Sequence, residues 1–226
     1  MMVKCKYDKQ YLQEKLEEMK KKLGETHEKE EREELLLLIS LIIGIIEKYG
    51  DRIGHSDYHI NDSEFCIFHD PEACKTNPDL VREKFLKWLE EKEKEDSEDI
   101  VAIGFHLPEI DLSSREFKKN MIFCLTTFDK ADFIEAKFGV ADFSRTTFDK
   151  ADFSGTKFGE TIFENTVFMS RAVFDHATVG FLYFKDLVQL NIFNPLKSHS
   201  YISLRNIHFK DEKSKIVIDG CYVDYF

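Results

Sequence analysis

The chain has one tryptophan in 226 residues, against 21 phenylalanines. Long hydrophobic stretches are missing as well. The longest apolar run, LLLLISLIIGII at 35–46, stops at twelve residues, whereas a membrane-spanning helix needs about 20. The run therefore reads as a buried helix and no membrane span is expected. Positive charge is in short supply: a net charge of −11 argues against direct binding to nucleic-acid backbones or anionic membranes. The polar opening MMVKCKYDKQY holds no export signal, and the five cysteines are an odd number. Together they predict a cytoplasmic setting, with thiols or metal ligands rather than disulfides. There is no glycine-rich phosphate loop, no paired-carboxylate cleft and no Ser–His–Asp arrangement, so no catalytic residue is assigned.

The charge that is present is unevenly spread. Residues 1–100 hold 26 acids and 17 bases, and residues 101–226 hold 17 and 15. The expected class is α+β, with a helical domain over 1–100 and a repeat domain over 101–226. In the first, Leu12, Leu16, Met19 and Leu23 make a heptad-like seam on a charged helix over 8–23. GET at 24–26 breaks it, and a second helix over 28–49 completes a hairpin. That second helix is apolar nearly all round from Leu35, so its stretch 35–46 is a candidate homodimer contact. A third helix is signalled over 78–95. Asn77 is its N-cap, Pro78 stands at the first helical position, and Val81, Phe85, Trp88 and Leu89 share one face. The charged tail EEKEKEDSED at 90–99 reads as the link between domains.

Between the second and third helices, His55, His59, Cys66, His69 and Cys74 fall within twenty residues. Cys66-x2-His69 is a compact chelating pair that Cys5 can join from the far side of the hairpin. A closed tetrahedral zinc site needs four such donors around one point. The competing readings are a small buried thiol with a capping histidine, and a catalytic Cys–His pair, which here lacks an orienting acid or oxyanion loop.

From Met121 the chain divides into ten fives without gaps, MIFCL, TTFDK, ADFIE, AKFGV, ADFSR, TTFDK, ADFSG, TKFGE, TIFEN and TVFMS. The centre is always phenylalanine: Phe123, Phe128, Phe133, Phe138, Phe143, Phe148, Phe153, Phe158, Phe163 and Phe168. A period of five walks a ring around a helix surface and does not match the two-residue period of a plain strand. It suits a coil that turns a corner every five residues, sending Phe and the small Ala or Thr inward. The register slips by one at RAVFD, predicting a bulge, and resumes with Phe174, Val179 and Phe184 inward. Upstream, Phe105, Ile110, Phe117 and Phe123 read as an irregular first coil. Downstream, 202–226 is strand-like and continues the coil, after a loop at 194–200. The coil end at Phe226 predicts cover by a second copy or by further chain.

The fives resemble the pentapeptide-repeat family, whose consensus is A-(D/N)-(L/F)-x-x. The resemblance implies a right-handed, four-sided β-helix with four fives per turn, which explains why TTFDKADF at 126–133 returns at 146–153. Phe128 then stacks under Phe148, Phe133 under Phe153, Asp129 under Asp149 and Lys130 under Lys150. CKY at 5–7 and CIFHD at 66–70 are similar to signatures of some members. That likeness implies one structural zinc ion on Cys5, Cys66 and His69, with His59 as fourth ligand and His55 or Cys74 as alternates. A solenoid's wide surface and the lack of catalytic groups point to a non-enzymatic protein-interaction scaffold with an unknown protein partner, and the apolar stretch 35–46 or the open coil end to a homodimer. Some members mimic DNA and bind DNA gyrase. Residues 121–175, with nine acids and six bases, are only weakly acidic for a DNA-mimicking modulator of gyrase or another topoisomerase. A metal-dependent enzyme using the Cys/His cluster is the third reading.

Overall fold

The computed structural model describes residues 5–53, 64–186 and 201–219. The chain forms two compact units, Met1–Asp70 and Pro71–Phe226. No helix among the described residues is long and apolar enough to cross a membrane.

In the first unit, helix α1 (Lys9–Glu25) starts where the Asp8 carboxylate accepts the Tyr11 N–H at 3.0 Å, a side-chain cap for an otherwise unpaired donor. Helix α2 (Lys29–Tyr49) packs against α1. Leu12 and Leu16 face Leu35, Ile39, Ile42, Ile45 and Tyr49 in a buried seam. Arg32 donates to the Leu23 and Thr26 carbonyls at 2.6 and 2.9 Å and so clamps the link. This is the expected hairpin. The opposite side of α2 is open, with Leu36 and Leu37 50% and 42% exposed.

The second unit begins with a short helix that the sequence did not signal, α3 (Pro71–Thr76), followed by α4 (Pro78–Lys94). Pro78 opens α4 as expected, but Asn77 makes no side-chain cap; its amide bonds Thr76 Oγ1 instead. Val81, Phe85, Trp88 and Leu89 are all buried. Phe105 packs against them, with ring centroids 5.2 Å from Trp88 and 6.4 Å from Phe85. Arg82 donates to the Glu109 carbonyl at 2.7 Å, and Arg115 grips Glu93 with two bonds of 3.1 Å. The third helix therefore belongs to the repeat unit, where it covers the first coil. The unit boundary stands at Asp70/Pro71 instead of near residue 100, because this packing holds α4 to the coil. Solenoids need such a terminal cap to shield their ladder.

The strands are β1 (Asp99–Val101), β2 (His106–Asp111), β3 (Glu116–Phe117), β4 (Asn120–Ile122), β5 (Thr127–Asp132), β6 (Lys137–Asp142), β7 (Thr147–Asp152), β8 (Lys157–Glu164), β9 (Val167–Val173), β10 (Thr178–Lys185), β11 (Tyr201–Ser203), β12 (His208–Phe209) and β13 (Lys215–Asp219). All their pairings are parallel, and strands alternate between two sheets except that β3 and β4 share one, as do β12 and β13, so the chain winds as a parallel β-solenoid of about four turns. β5 lies on β7 with Phe128 opposite Phe148 and Ala131 opposite Ala151, a shift of one twenty-residue coil.

Four columns of rings fill the interior. Phe128, Phe148 and Phe168 stack at 5.1 and 5.4 Å, and Phe133, Phe153 and Phe174 at 5.0 and 4.8 Å. Phe123, Phe143, Phe163 and Phe184 stack at 5.3, 5.0 and 5.2 Å, and Phe117, Phe138 and Phe158 at 4.7 and 6.1 Å. These spacings follow the strand separation of about 4.8 Å. All ten centre residues of the fives are buried.

Two details differ from the sequence reading. The first coil keeps its fives only as far as Phe117, with Leu107 opposite Phe128 and Ile110 opposite Ala131. Beyond it the offset to the next coil falls from twenty-one residues (Phe117 opposite Phe138) to twenty (Met121 opposite Ala141), so the irregularity sits at 118–120. Its centre places are thus Ala102, Leu107, Leu112 and Phe117, while Phe105 and Ile110 occupy the first place, where later coils have Ala or Thr. The slip also sits slightly earlier than RAVFD. Phe148 pairs with Phe168 but Lys150 with Arg171, so the extra residue falls at 169–170. Beyond it β11 continues on β9, and β12 and β13 on β10, as expected. The anticipated loop at 194–200 and the end at 220–226 lie outside the described residues.

Candidate functional site

The segment before α1 and the segment before α3 meet through one backbone bond, from the Lys6 N–H to the Glu64 carbonyl at 2.7 Å. Next to it, residues 66–69 close a tight turn in which the His69 N–H donates to the Cys66 carbonyl at 2.9 Å. The turn faces Cys66 Sγ to His69 Nδ1 at 3.1 Å, and Cys5 Sγ lies 3.5 Å from the same nitrogen. The Cys66 backbone N–H donates to Cys5 Sγ at 3.1 Å. The three donor atoms lie within 4.8 Å of one another, and all three residues are buried. Tyr7 stacks flat on the His69 ring, centroids 4.2 Å apart and planes 9° from parallel.

The electrostatics favour a thiolate. The hydrogen bond from Cys66 and the His69 ring beside it hold the Cys5 thiol down at about 4, against the opposing effect of burial. Cys66 is pushed up by the Cys5 sulfur and by its own burial. Two sulfurs and an imidazole nitrogen converging in a buried pocket are a soft donor set that suits zinc, and they supply three corners of a tetrahedron. One wall of an open cleft of about 390 Å³ is formed by Cys5, with Tyr11, Glu14 and Glu64 among the other lining residues.

Of the expected ligands the structure brings together Cys5, Cys66 and His69. His55 and His59 lie outside the described residues. Cys74 is placed elsewhere, on α3 with its thiol 3.9 Å from the Asp129 carboxylate, and burial pushes it up to about 12. It is not one of the three grouped donors. Tyr7 was given no role by the sequence reading. Strand spacing in CKY does not account for its place, because residues 6–8 form a bend in which the Asp8 N–H donates to the Lys6 carbonyl at 2.9 Å.

The solenoid's outer surface has its own logic. Every second corner in the regular coils is a hydrogen-bonded turn whose third residue has positive φ, at Leu125, Glu135, Arg145 and Gly155. Asp132, Asp142 and Asp152 brace three of these corners by accepting the N–H two residues on, at 2.9 to 3.1 Å, an Asx turn. Thr146, Thr156 and Thr166 zip coils together by donating from Oγ1 to the carbonyls of Phe123, Phe133 and Phe143 at 2.7 to 2.8 Å. A family model described as "Pentapeptide repeats" matches residues 127–165 in eight copies. That segment is a run of pentapeptide repeats. Neither a curated protein nor a solved structure matches the chain.

Around the pentapeptide repeats the outward residues change character along the solenoid. Across the lower coils, Lys130 pairs with Glu109 and Lys137 with Glu116, and Arg171 stands 3.8 Å from Asp152. The column that holds Asp142 continues above it as Ile162, Tyr183 and Val217. Phe181 flanks Tyr183, ring centroids 6.2 Å apart, and Lys215 Nζ lies 5.2 Å over the Phe181 ring.

Proposed function

We propose that the protein is a non-enzymatic interaction scaffold that holds a protein partner on the upper face of its solenoid. The observation that carries this reading is the outward apolar patch of Ile162, Phe181, Tyr183 and Val217, each only half-buried, in contrast to the Glu109–Lys130 and Glu116–Lys137 ion pairs of the earlier coils. Aromatic side chains in such a patch are the residues that most often dominate protein–protein affinity. A DNA-mimicking rod recognised by gyrase or another topoisomerase needs columns of uncompensated carboxylate. Here Glu109, Glu116, Asp152 and Glu164 each face a lysine or arginine one coil away, which favours the protein-binding reading. For the first unit we propose a structural zinc ion on Cys5, Cys66 and His69, with His59 as fourth ligand and His55 as its substitute. When bound, the ion would cross-link the two ends of the unit.

The scaffold reading is tested by cross-linking the chain in extract of its own cells and comparing it with a Phe181→Ala/Tyr183→Ala variant of equal melting temperature. A partner captured by the parent and lost by the variant, with cross-links mapping to β8, β10 or β13, is the expected result. Identical capture by both proteins overturns the assignment of this face.

A further inference from the structure

The last described coil is built differently from those beneath it. Between the lower coils, paired residues stand twenty or twenty-one apart, as with Phe148 and Phe168 or Phe158 and Val179. Above them the offset jumps. Ser203 lies opposite Val173 and Phe209 opposite Val179, each thirty residues on, and Val217 opposite Tyr183, thirty-four on. The packing is poorer too. Phe209 and Ile218 stand over Val179 and Phe184, yet they are 56% and 53% exposed, whereas the two beneath are buried. Strand pairing is brief, with three residues in β11 and two in β12. Short ladders and few buried apolar contacts mark a segment that opens locally at low cost.

One carboxylate ties this coil down. Asp175 is buried and accepts four hydrogen bonds, all from residues 203–205 of the coil above. Ser203 Oγ donates at 2.5 Å, the Arg205 backbone N–H at 3.0 Å, and Arg205 Nε and Nη2 at 2.9 and 2.6 Å. The Arg205 guanidinium, then the Ser203 hydroxyl, hold the Asp175 carboxyl down at about 2, so the anchor stays charged. Bonds of this charge-assisted kind are stronger than neutral ones. The two coils below hold Ser154 and Ile134 at the same place, so the anchor is particular to the irregular coil.

The same coil completes the apolar face. Val217 stands over Tyr183, and Lys215 Nζ lies over the Phe181 ring. Both depart from the face when residues 201–219 lift. Asp175 itself follows β9, a strand of the other sheet, so it acts on the face only through the segment it holds.

We propose that residues 201–219 form a strap that opens and closes on the upper coil, and that Asp175 is the positioning residue that keeps the strap shut and the partner face complete. The strap's control of binding rests on that face holding a partner, as proposed above.

Hydrogen exchange on the full chain reads the strap directly. Asp175→Asn keeps the shape and removes the charge, while Arg205→Ala changes a side chain that is 78% exposed and so spares the lower coils. Each should raise exchange across β11, β12 and β13 about tenfold, the loss expected when charge-assisted bonds are removed. Amides of β5 to β8 should keep the parent's protection. The partner cross-linked by the parent should be captured several-fold less by both variants. Unchanged exchange over 201–219 overturns the proposal. So does an equal rise over β5 to β8, which would make Asp175 a stabiliser of the whole solenoid. Undiminished capture with an open strap, when Phe181→Ala/Tyr183→Ala has lost the partner, overturns the strap's control and leaves the face standing. Capture unchanged in every variant overturns the face and the control together.

Discussion

In the repeat unit nearly every buried ring has a like ring 4.7–6.1 Å above or below it. In the first unit, by contrast, the described residues before α1 and before α3 meet over a short stretch, where Lys6 bonds Glu64 and Cys5 reaches Cys66 and His69. The solenoid distributes its stability over equivalent neighbours, each coil touching only the next, so no single contact decides the fold. Met1–Asp70 is a short unit with one helix–helix seam among its described residues, and units of that size are only marginally stable, so one staple is a large share of what holds them. Redundancy in one region and dependence on one short stretch in the other predict opposite responses to local damage.

The largest contrast is expected from the metal site. Cys66→Ser, or strong chelation, should release one zinc ion per chain and raise amide exchange across α1 and α2. The solenoid should keep its exchange protection, because its ladder is held by strand pairing and ring stacking. Metal analysis of untagged protein together with hydrogen exchange reads both halves of the claim. Absence of zinc from the parent, with Cys66→Ser equally protected, would leave the cluster as two buried thiols packed on a histidine.

Within the solenoid the ring columns should dominate. Phe148 is fully buried between Phe128 and Phe168. Its replacement by Ala is expected to cost about 3–5 kcal/mol in a denaturant melt, because stacked rings on both sides prevent collapse into the cavity. Lys150→Ala, at an exposed place two residues on, should cost less than about 0.5 kcal/mol. Comparable losses from the two would break the inward–outward assignment.

These columns were legible because one large residue recurs at a fixed place and nothing else in the five competes with it. The same logic explains where reading failed. In the first coil the centre places hold Ala102, Leu107 and Leu112, while the eye-catching Phe105 sits two residues early. No coil lies beneath Phe105, so its place accepts a ring that meets Trp88. Sequence spacing alone does not reveal that an end coil relaxes the small-residue rule. For the cluster, Cys66-x2-His69 is local and was visible, whereas Cys74 looked equivalent on the line of the sequence. Its direction is set by α3 packing against β2, a tertiary fact. Asn77 was read from propensity, but its amide found Thr76 instead.

A smaller effect separates two glycines of one column. A Cβ on Gly159 would lie 2.2 Å from the Gly139 carbonyl oxygen, whereas one on Gly139 meets nothing within 4 Å. Backbone is the obstacle at Gly159, so Gly159→Ala must displace the coil and should cost about 1–3 kcal/mol. Gly139→Ala adds no clash and stiffens the unfolded chain, and it should be neutral or stabilising by up to about 1 kcal/mol. Melting both variants checks the coil spacing directly; equal destabilisation would mean that the coils are not stacked this closely.

The finest test distinguishes two threonines that hold the same place in the five. Thr146 and Thr161 are both fully buried at the first place. Thr146 follows a hydrogen-bonded corner, and its hydroxyl donates to the Phe123 carbonyl of the coil below at 2.7 Å. Thr161 lies in a column with Ala141 and Leu182, and its hydroxyl has no hydrogen-bond partner among the described residues. Valine matches threonine in shape and removes only the polar atom. Thr146→Val should therefore destabilise by about 1 kcal/mol, the net worth of a buried hydrogen bond. Thr161→Val should be stabilising by up to about 1 kcal/mol, because it deletes a hydroxyl that was desolvated without compensation. Opposite signs in parallel melts are the expected outcome. A loss at both positions would mean that the Thr161 hydroxyl is satisfied after all, and that the two kinds of corner are more alike than their hydrogen bonds indicate.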